Sequence, residues 1–457
     1  MSDNVKISFL GAAGTVTGSK FLLETPWLNI LVDCGFFQGL KELRELNWKN
    51  ISIPPEEIDL VLLTHGHLDH TGYLPRLVKE GFKNDILGTS PTLAIAEVIL
   101  RDSAKIQEED AKRANEESFS IHHPAFPLYT EEDVAATLKL FHSVKTDEWL
   151  EISEKVKIRF RRNGHIIGAT FIELELNGKI FVFSGDIGRE KDDLLESPAK
   201  PEHADFLFLE STYGDRIHPI EDVENILEQA ITKCLLDDST LIIPSFAVER
   251  LQTLMYRIYN LHKKQKFTLP PVYIDSPMGH EVIKIFSRFM SWHKLDHEEF
   301  KRMKDFFRII TNYKDTWKVI EDPRPKVVIA GSGMVTGGRV LAYLKSYLEK
   351  PETQILLVGF QAEGTRGRQL QEGVPDVKIH GKYYKVEAAV KTINSLSAHA
   401  DQNELLDWIA DLETAPQRIF LVHGEKKASD VLRVKIKDRY GWKADIPHLG
   451  ETVSLRV

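Results

Sequence analysis

The chain has 457 residues, 42% of them hydrophobic and 28% charged, with a formal net charge of −9 at pH 7. That length suits roughly two to three domains whose cores need no metal or disulfide to hold them, so ligand-rich motifs require a chemical explanation rather than a structural one. Cys34 and Cys234 are the only cysteines, which excludes a disulfide framework and a thiolate zinc site and fits a reducing compartment.

From the N-terminus, the apolar runs Val5–Leu10, Leu28–Val32, Leu60–Leu63, Phe171–Leu176 and Ile180–Phe183 end in Gly, Asp, His or Asn, the pattern of strands handing over to loops. Between Ala94 and Phe141 a charged, helical periodicity takes over, broken at the Pro-containing stretch His123–Pro127. From Asp205 onward short strands (Phe206–Leu209, Leu241–Ile243, Val272–Ile274, Val327–Ala330, Ile355–Val358) alternate with amphipathic helices (Val223–Leu235, Leu251–Lys263, Val282–Phe289). Such alternation predicts a parallel sheet covered on both faces. After about residue 375 short strands return, ending in His-containing loops at Ser397–Asp401 and Val422–Glu425. The expected architecture is therefore α/β: a first domain in residues 1–209, an inserted α/β domain in 210–374, and completion of the first domain by 375–457.

The strongest chemical signal is Thr64-His65-Gly66-His67-Leu68-Asp69-His70, directly after the apolar strand Leu60–Leu63. Three imidazoles and a carboxylate at one strand end are nitrogen and oxygen donors suited to zinc, iron or manganese, and too many for one closed site. Two metals are implied. His165, between Gly164 and Gly168, and Asp186, between Gly185 and Gly188, each have an ordinary reading as turn residues. Both sit at Gly-flanked strand ends, however, as the histidine cluster does, and such loops are where a layered scaffold gathers functional groups.

Asp33, His65-x-His67-x-Asp69-His70, His165 and Asp186 are similar, in type and order, to the successive motifs of the metallo-β-lactamase superfamily. The resemblance implies an αββα sandwich. It also implies that His65, His67 and His165 hold one metal, Asp69 and His70 the other, with Asp186 bridging and Asp33 orienting the ligands. Further along, Glu210-Ser211-Thr212-Tyr213-Gly214, His399 in Ser397-x-His399-x-Asp401, and His423 before Gly424 resemble motifs A, B and C of the β-CASP nucleases, whose inserted domain is Rossmann-like. A histidine at motif C resembles the RNA-processing type. Taken singly, Glu210 could solvate a strand edge and His399 could belong to the helix start that Asp401 and Glu404 cap; the ordered set of motifs favours the functional reading. The strand-like Val453–Val457 lies close to the C-terminus, which resembles the short bacterial form without an extra C-terminal domain.

Two Gly-rich segments suggest phosphate contacts. Gly331–Arg339 follows a strand and opens a helix, placing the backbone of Ser332, Gly333, Met334, Gly337 and Gly338 where an anion would bind. Gly359–Arg368 brings Arg366 to a strand-end loop, and Pro244–Arg250 supplies Arg250. These blocks resemble β-CASP segments that face the interdomain cleft, so the RNA backbone is expected there. Two departures stand out: Ala169 occupies a position where many relatives have Ser, and Glu249 replaces a common Gly before Arg250. His122, His123, His218, His280, His293 and His380 match no motif and are read as surface or packing residues.

The implied function is metal-dependent hydrolysis of RNA phosphodiester bonds, in RNA processing or decay, with a metal-bridging hydroxide as nucleophile and two zinc ions by default, manganese or iron as alternatives. His399 is the expected general acid, Glu210 its orienting partner, and His423 the completion of the second metal's ligand set. Two rivals share the same core: a small-molecule ester or thioester hydrolase, and a noncatalytic RNA-binding scaffold. The net charge argues against a broad nucleic-acid-coating surface while leaving room for a narrow basic cleft, so single-stranded RNA is the expected partner. No basic-then-apolar leader and no membrane-length apolar run occur, so a cytoplasmic location without a membrane partner is expected. A homodimer is the candidate assembly, and endonuclease versus 5′-exonuclease action is left open.

Overall fold

A computed structural model describes residues 4–117, 124–264, 269–359, 361–362 and 364–457. His122 and His123 lie outside the described residues, as do Phe360 and Glu363 in the second Gly-rich segment. The chain divides into two compact units: Met1–Asp192, Ser197–Ile217 and His399–Val457 form one, Asp193–Glu196 and His218–Ala398 the other.

In the first unit two seven-stranded sheets face each other. One runs in the order Thr452–Arg456, Asn4–Phe9, Phe21–Glu24, Asn29–Val32, Leu60–Leu62, Asp85–Thr89, Phe141–Val144. The other runs Ala444–Asp445, Arg418–Val422, Phe206–Glu210, Lys179–Phe183, Thr170–Leu176, Val156–Arg162, Leu150–Ser153. Strand periodicity explains how each sheet buries both faces. In Phe206–Glu210, Phe206 and Phe208 join the core between the sheets, while Leu207 and Leu209 pack outward with Leu405, Trp408, Leu432 and Ile436 of the helices Gln402–Trp408 and Lys426–Tyr440. On the far side of the first sheet Leu31, Val61 and Leu63 pack against Leu77, Leu100 and Val134 from the helices Leu74–Lys79, Ser90–Glu117 and Glu131–Leu138. The result is the αββα sandwich. Stacked rings tie the inner core, with Phe183 and Phe208 centroids 4.2 Å apart and Phe208 and Phe420 5.0 Å apart; such pairs contribute about 0.5–1.5 kcal/mol each beyond area burial.

The second unit carries a six-stranded sheet in the order Arg308–Ile309, Val272–Asp275, Lys326–Ala330, Thr240–Pro244, Gln354–Val358, Ala389–Ile393, every pairing parallel. A separate antiparallel ribbon joins Asp376–Ile379 to Lys382–Lys385.

Phe206–Leu209, which opens the alternating rhythm in the sequence, lies in the first unit, where it pairs parallel with both Lys179–Phe183 and Arg418–Val422. Two features differ from the sequence reading. The second unit extends to Ala398 rather than 374, because Ala389–Ile393 pairs with Gln354–Val358 and closes the parallel sheet. Phe141, placed in the helical stretch, starts an edge strand.

Candidate metal centre and hydrolytic site

The site residues stand at the ends of strands in the first unit, where ladders stop and the backbone turns. Asp33 follows Asn29–Val32, His65 follows Leu60–Leu62, and His423 follows Arg418–Val422. Asp33 and His423 hold φ of 58° and 48°, a left-handed conformation that costs a non-glycine residue of order 1 kcal/mol or more and concentrates at functional positions. Close packing holds the loops: a Cβ on Gly35 would lie 1.6 Å from the Asp69 carbonyl oxygen, and one on Gly188 2.0 Å from that of Gly164.

The predicted ligands converge. His65, His67, His165 and Asp186 form one group, Asp69, His70 and His423 another, each with its ligand atoms within 4.8 Å of one another. His65 Nε2 lies 3.1 Å from His67 Nδ1, and His165 Nε2 3.3 Å from the same atom. Asp186 stands between the groups. Its Oδ2 is 3.4 Å from His65 Nε2 and 3.5 Å from His165 Nε2; its Oδ1 is 3.4 Å from His70 Nε2 and 3.2 Å from His423 Nδ1. His423 Nε2 lies 3.2 Å from His70 Nε2 and 3.5 Å from Asp69 Oδ2.

This donor set fits divalent cations. Asp186 Oδ1 is buried and has no hydrogen bond of regular geometry although His423 Nδ1 and His70 Nε2 lie 3.2 and 3.4 Å away, an arrangement that a bound ion would complete. Burial, reinforced by neighbouring imidazoles, holds His65 well below the ordinary histidine range and His67 at about 4, so both rings are neutral and offer lone pairs. His70 behaves oppositely: burial opposes its charge, but Asp186 and Asp33 overcome it and raise the ring well above the ordinary range. Burial likewise opposes the Asp186 charge, yet His423, His70 and His65 hold that carboxyl well below the usual value.

Partners behind the ligands fix their orientation. Asp33 Oδ2 lies 2.7 Å from His70 Nδ1, and Asp33 accepts from Thr64 N at 2.8 Å and from Thr64 Oγ1 at 2.9 Å. Thr64 Oγ1 is 3.1 Å from His65 Nδ1, and Thr212 Oγ1 is 3.1 Å from His423 Nδ1. Sequence reasoning assigned no role to these two threonines, although each stands within a quoted motif. It also missed Lys20, whose buried ammonium donates to the Gly35 carbonyl and sits 4.7 Å from the Phe37 ring centroid and 4.9 Å from that of Tyr73.

Beside the ligands, His399 Nδ1 is 3.3 Å from Glu210 Oε1, and His399 Nε2 is 4.0 Å from Asp186 Oδ2. Burial disfavours the imidazolium, but the Glu210 carboxylate outweighs it and raises His399 to about 9. Glu210 is itself held by Ile187 N, which donates to Oε1 at 2.6 Å. Asp401 caps the helix Gln402–Trp408 in a reciprocal box with Glu404, so the capping motif and the His399 position coexist.

The predicted substrate contacts lie in the second unit, where the two Gly-rich segments are knitted together. Gln361 Nε2 donates to Gly333 O at 3.2 Å and Gly367 N to Met334 O at 3.0 Å. Ser332 Oγ accepts from Thr336 N and Gly337 N at 3.1 and 3.2 Å, so part of the expected anion cradle closes on itself. Gly338, with φ 72°, makes the loop's left-handed corner. Arg366 donates from Nε to Lys378 O at 2.6 Å and from a terminal nitrogen to Val335 O and Thr336 O at 3.3 and 3.0 Å, which makes it a brace for the loop. Arg250 is buried and follows a strained turn: Glu249 has φ 65° and ψ −57°, with Arg250 N donating to Val248 O at 2.8 Å, a γ-turn that glycine adopts without the Cβ penalty. The glycine-to-glutamate departure therefore falls on a residue whose backbone conformation favours glycine. His293 packs between the rings of Phe286 and Phe300. Among the described residues no helix is long and apolar enough to cross a membrane.

Comparison with known proteins gives three family matches in chain order. Residues 18–235 match the metallo-beta-lactamase superfamily, 251–370 the Beta-Casp domain, and 383–447 the Zn-dependent metallo-hydrolase RNA specificity domain. The chain is 34% identical over 456 residues to Ribonuclease TTHA0252 of Thermus thermophilus, covering 98% of this chain and 100% of the relative. It is 29% identical over 443 residues to transcription termination factor FttA of Methanosarcina mazei, covering 93% of this chain and 67% of that protein. A crystal structure of a protein of unknown function from Enterococcus faecalis V583 shares the fold, with TM-score 0.56 and 13% identity over 99% of this chain and 100% of that one.

Proposed function

This chain belongs to the β-CASP ribonuclease family of the metallo-β-lactamase superfamily, and we propose from that premise that it hydrolyses RNA phosphodiester bonds with two bound divalent cations, zinc by preference. The observation that carries the reading is Asp186, whose two oxygens face two separate groups of imidazoles while the Glu210–His399 pair stands beside them.

In this reading His65, His67, His165 and Asp186 hold one ion, and Asp69, His70, His423 and Asp186 the other. When bound, such ions supply Lewis acidity toward a phosphodiester and activate water at neutral pH. The chain's own residues do the rest. His399 carries a proton at neutral pH and donates it to the departing oxygen, while Glu210 keeps the ring oriented and charged. Asp33 and Thr64 hold His70 and His65 in the tautomers that present their other nitrogens to the site. The braced Gly-rich loop, through Ser332, Gly333, Met334, Gly337 and Gly338, together with Arg250 and Arg366, positions the RNA backbone.

The test is cleavage of end-labelled single-stranded RNA by the metal-loaded protein, beside His65→Ala, His399→Ala and a matching DNA. Metal-dependent RNA cleavage lost in both variants supports the reading, and the product lengths give the mode. A protein shown to carry two metals that leaves RNA intact would overturn it, with ester hydrolysis or binding without cleavage as the outcomes that take its place.

A further inference from the structure

The ribbon Asp376–Ile379 and Lys382–Lys385 turns through His380 and Gly381, whose φ values of 48° and 84° are those of a two-residue turn matched to strand twist. Its register pairs Lys378 with Tyr383 and Asp376 with Lys385, while Val377 pairs with Tyr384 and Ile379 with Lys382. The two faces separate accordingly. Val377 and Ile379 are fully buried in the apolar core of the second unit. On the opposite face Tyr383 is 64% exposed, with Lys378 Nζ 5.5 Å from its ring centroid. Lys385, paired with Asp376, shares that face, whereas Lys382 and Tyr384 pair with Ile379 and Val377 on the core side, with Lys382 Nζ 5.2 Å from the Tyr384 ring. Segment 376–385 thus brings together Lys378, Lys382 and Lys385 against the single acid Asp376, in a chain whose net charge is −9.

The ribbon is also fastened to the Gly-rich loop. Arg366 donates to Lys378 O in the ribbon and to Val335 O and Thr336 O in the loop, so one guanidinium spans both. An exposed ring with ammonium groups beside it is the combination that stacks a base and neutralises the neighbouring phosphates, without reading sequence.

We propose that this ribbon is a second contact surface for single-stranded RNA, with Tyr383 stacking a base and Lys378 and Lys385, on the same face, contacting phosphates beyond the stretch held at the Gly-rich loop. The inference rests on the ribonuclease reading and adds to it a preference for long RNA over short.

The test uses the full chain, metal-loaded, with fluorescent single-stranded RNAs of about six and about 24 nucleotides, one near the lower end and one beyond the upper end of the usual extent of a strand-binding surface. Tyr383→Ala weakens binding of the long RNA about tenfold, the effect of removing one stacking platform, and Tyr383→Phe restores it. The short RNA is bound and cleaved as by the unaltered chain. A Lys378→Ala, Lys385→Ala double variant reduces the slope of log Kd against log salt for the long RNA by about one to two. Long-RNA binding unchanged in these variants, while the unaltered protein cleaves RNA, overturns the ribbon proposal and leaves the ribonuclease reading intact. Equal losses on both RNAs overturn it as well, since that pattern reports a general structural effect. So does a change of oligomeric state in Tyr383→Ala without any effect on RNA, which would assign the ribbon to self-association. An unaltered protein that neither binds nor cleaves either RNA overturns both readings.

Discussion

His399 Nδ1 lies 3.3 Å from Glu210 Oε1, and Glu210 is fully buried at the end of Phe206–Glu210 while its partner keeps 21% of its side chain exposed. The relationship joins a fixed, solvent-excluded charge to a ring that reaches the site. Glu210 raises His399 to about 9 against the effect of burial. Glu210→Gln keeps the shape and removes the charge, so His399 loses its proton at lower pH. The alkaline limb of the rate profile, where the general acid must still be protonated, therefore moves to lower pH, and kcat at pH 8 falls about 10²-fold, within the usual range for acid catalysis. A kcat profile with an unmoved alkaline limb would remove Glu210 from this role.

Asp33 gives a second prediction. It touches His70 Nδ1 at 2.7 Å and both donors of Thr64. Asp33→Asn leaves every proposed ligand in place but weakens the hold on His70, and metal affinity falls about 10- to 100-fold. Competition with a chromophoric chelator measures it, and an affinity equal to that of the unaltered chain contradicts the assignment.

Lys20 makes stability depend on pH. Burial lowers its pKa from 10.5 to about 8, with the nearby Cys34 acting in the opposite sense. Between those values the unfolded chain binds a proton that the folded chain has released, so rising pH favours the fold. The cost of burying the charge, about 3 kcal/mol, is present below pH 8 and relieved by pH 10.5. Lys20→Met lacks this term. Urea titrations at several pH values should show the difference from the unaltered chain moving by that amount in the latter's favour from pH 7 to 10.5; a pH-independent difference speaks against a buried, charged Lys20.

At Glu249, φ 65° makes the backbone, not the side chain, decide the outcome of substitution. Glu249→Ala and Glu249→Gly both lose the carboxylate, which accepts from Thr253 Oγ1 at 3.3 Å. They differ by a Cβ in a left-handed γ-turn. The glycine variant should be the more stable by about 1 kcal/mol, read from thermal or urea midpoints; equal midpoints would show that the turn carries no such strain.

The site was legible in the primary structure to the extent that its donors are packed into short motifs at strand ends. The run from His65 to His70 places four donors within six residues, and Gly-flanked His165 and Asp186 stand at strand ends. A strand end fixes where such residues emerge, so their types and order already point to metal chemistry. Thr64 and Thr212, though part of the quoted motifs, receive no role from sequence because a threonine beside a strand is common, and only a distance of about 3.1 Å to an imidazole distinguishes these two.

Sequence alone determined the alternation of strands and helices and the gathering of nitrogen and oxygen donor types at strand ends, because burial periodicity and ligand type are local properties. Tertiary structure decided the rest. Ala389–Ile393 falls in the stretch 375–457 read as completing the first domain, and only its hydrogen-bonded neighbour, Gln354–Val358, assigns it to the sheet of the second unit. Arg366 reads as a free cation until its guanidinium is found on the carbonyls of Val335, Thr336 and Lys378. That Asp186 faces both imidazole groups follows from strands distant in sequence coming into register, and pairing between distant strands depends on the whole fold rather than on any local run of residues.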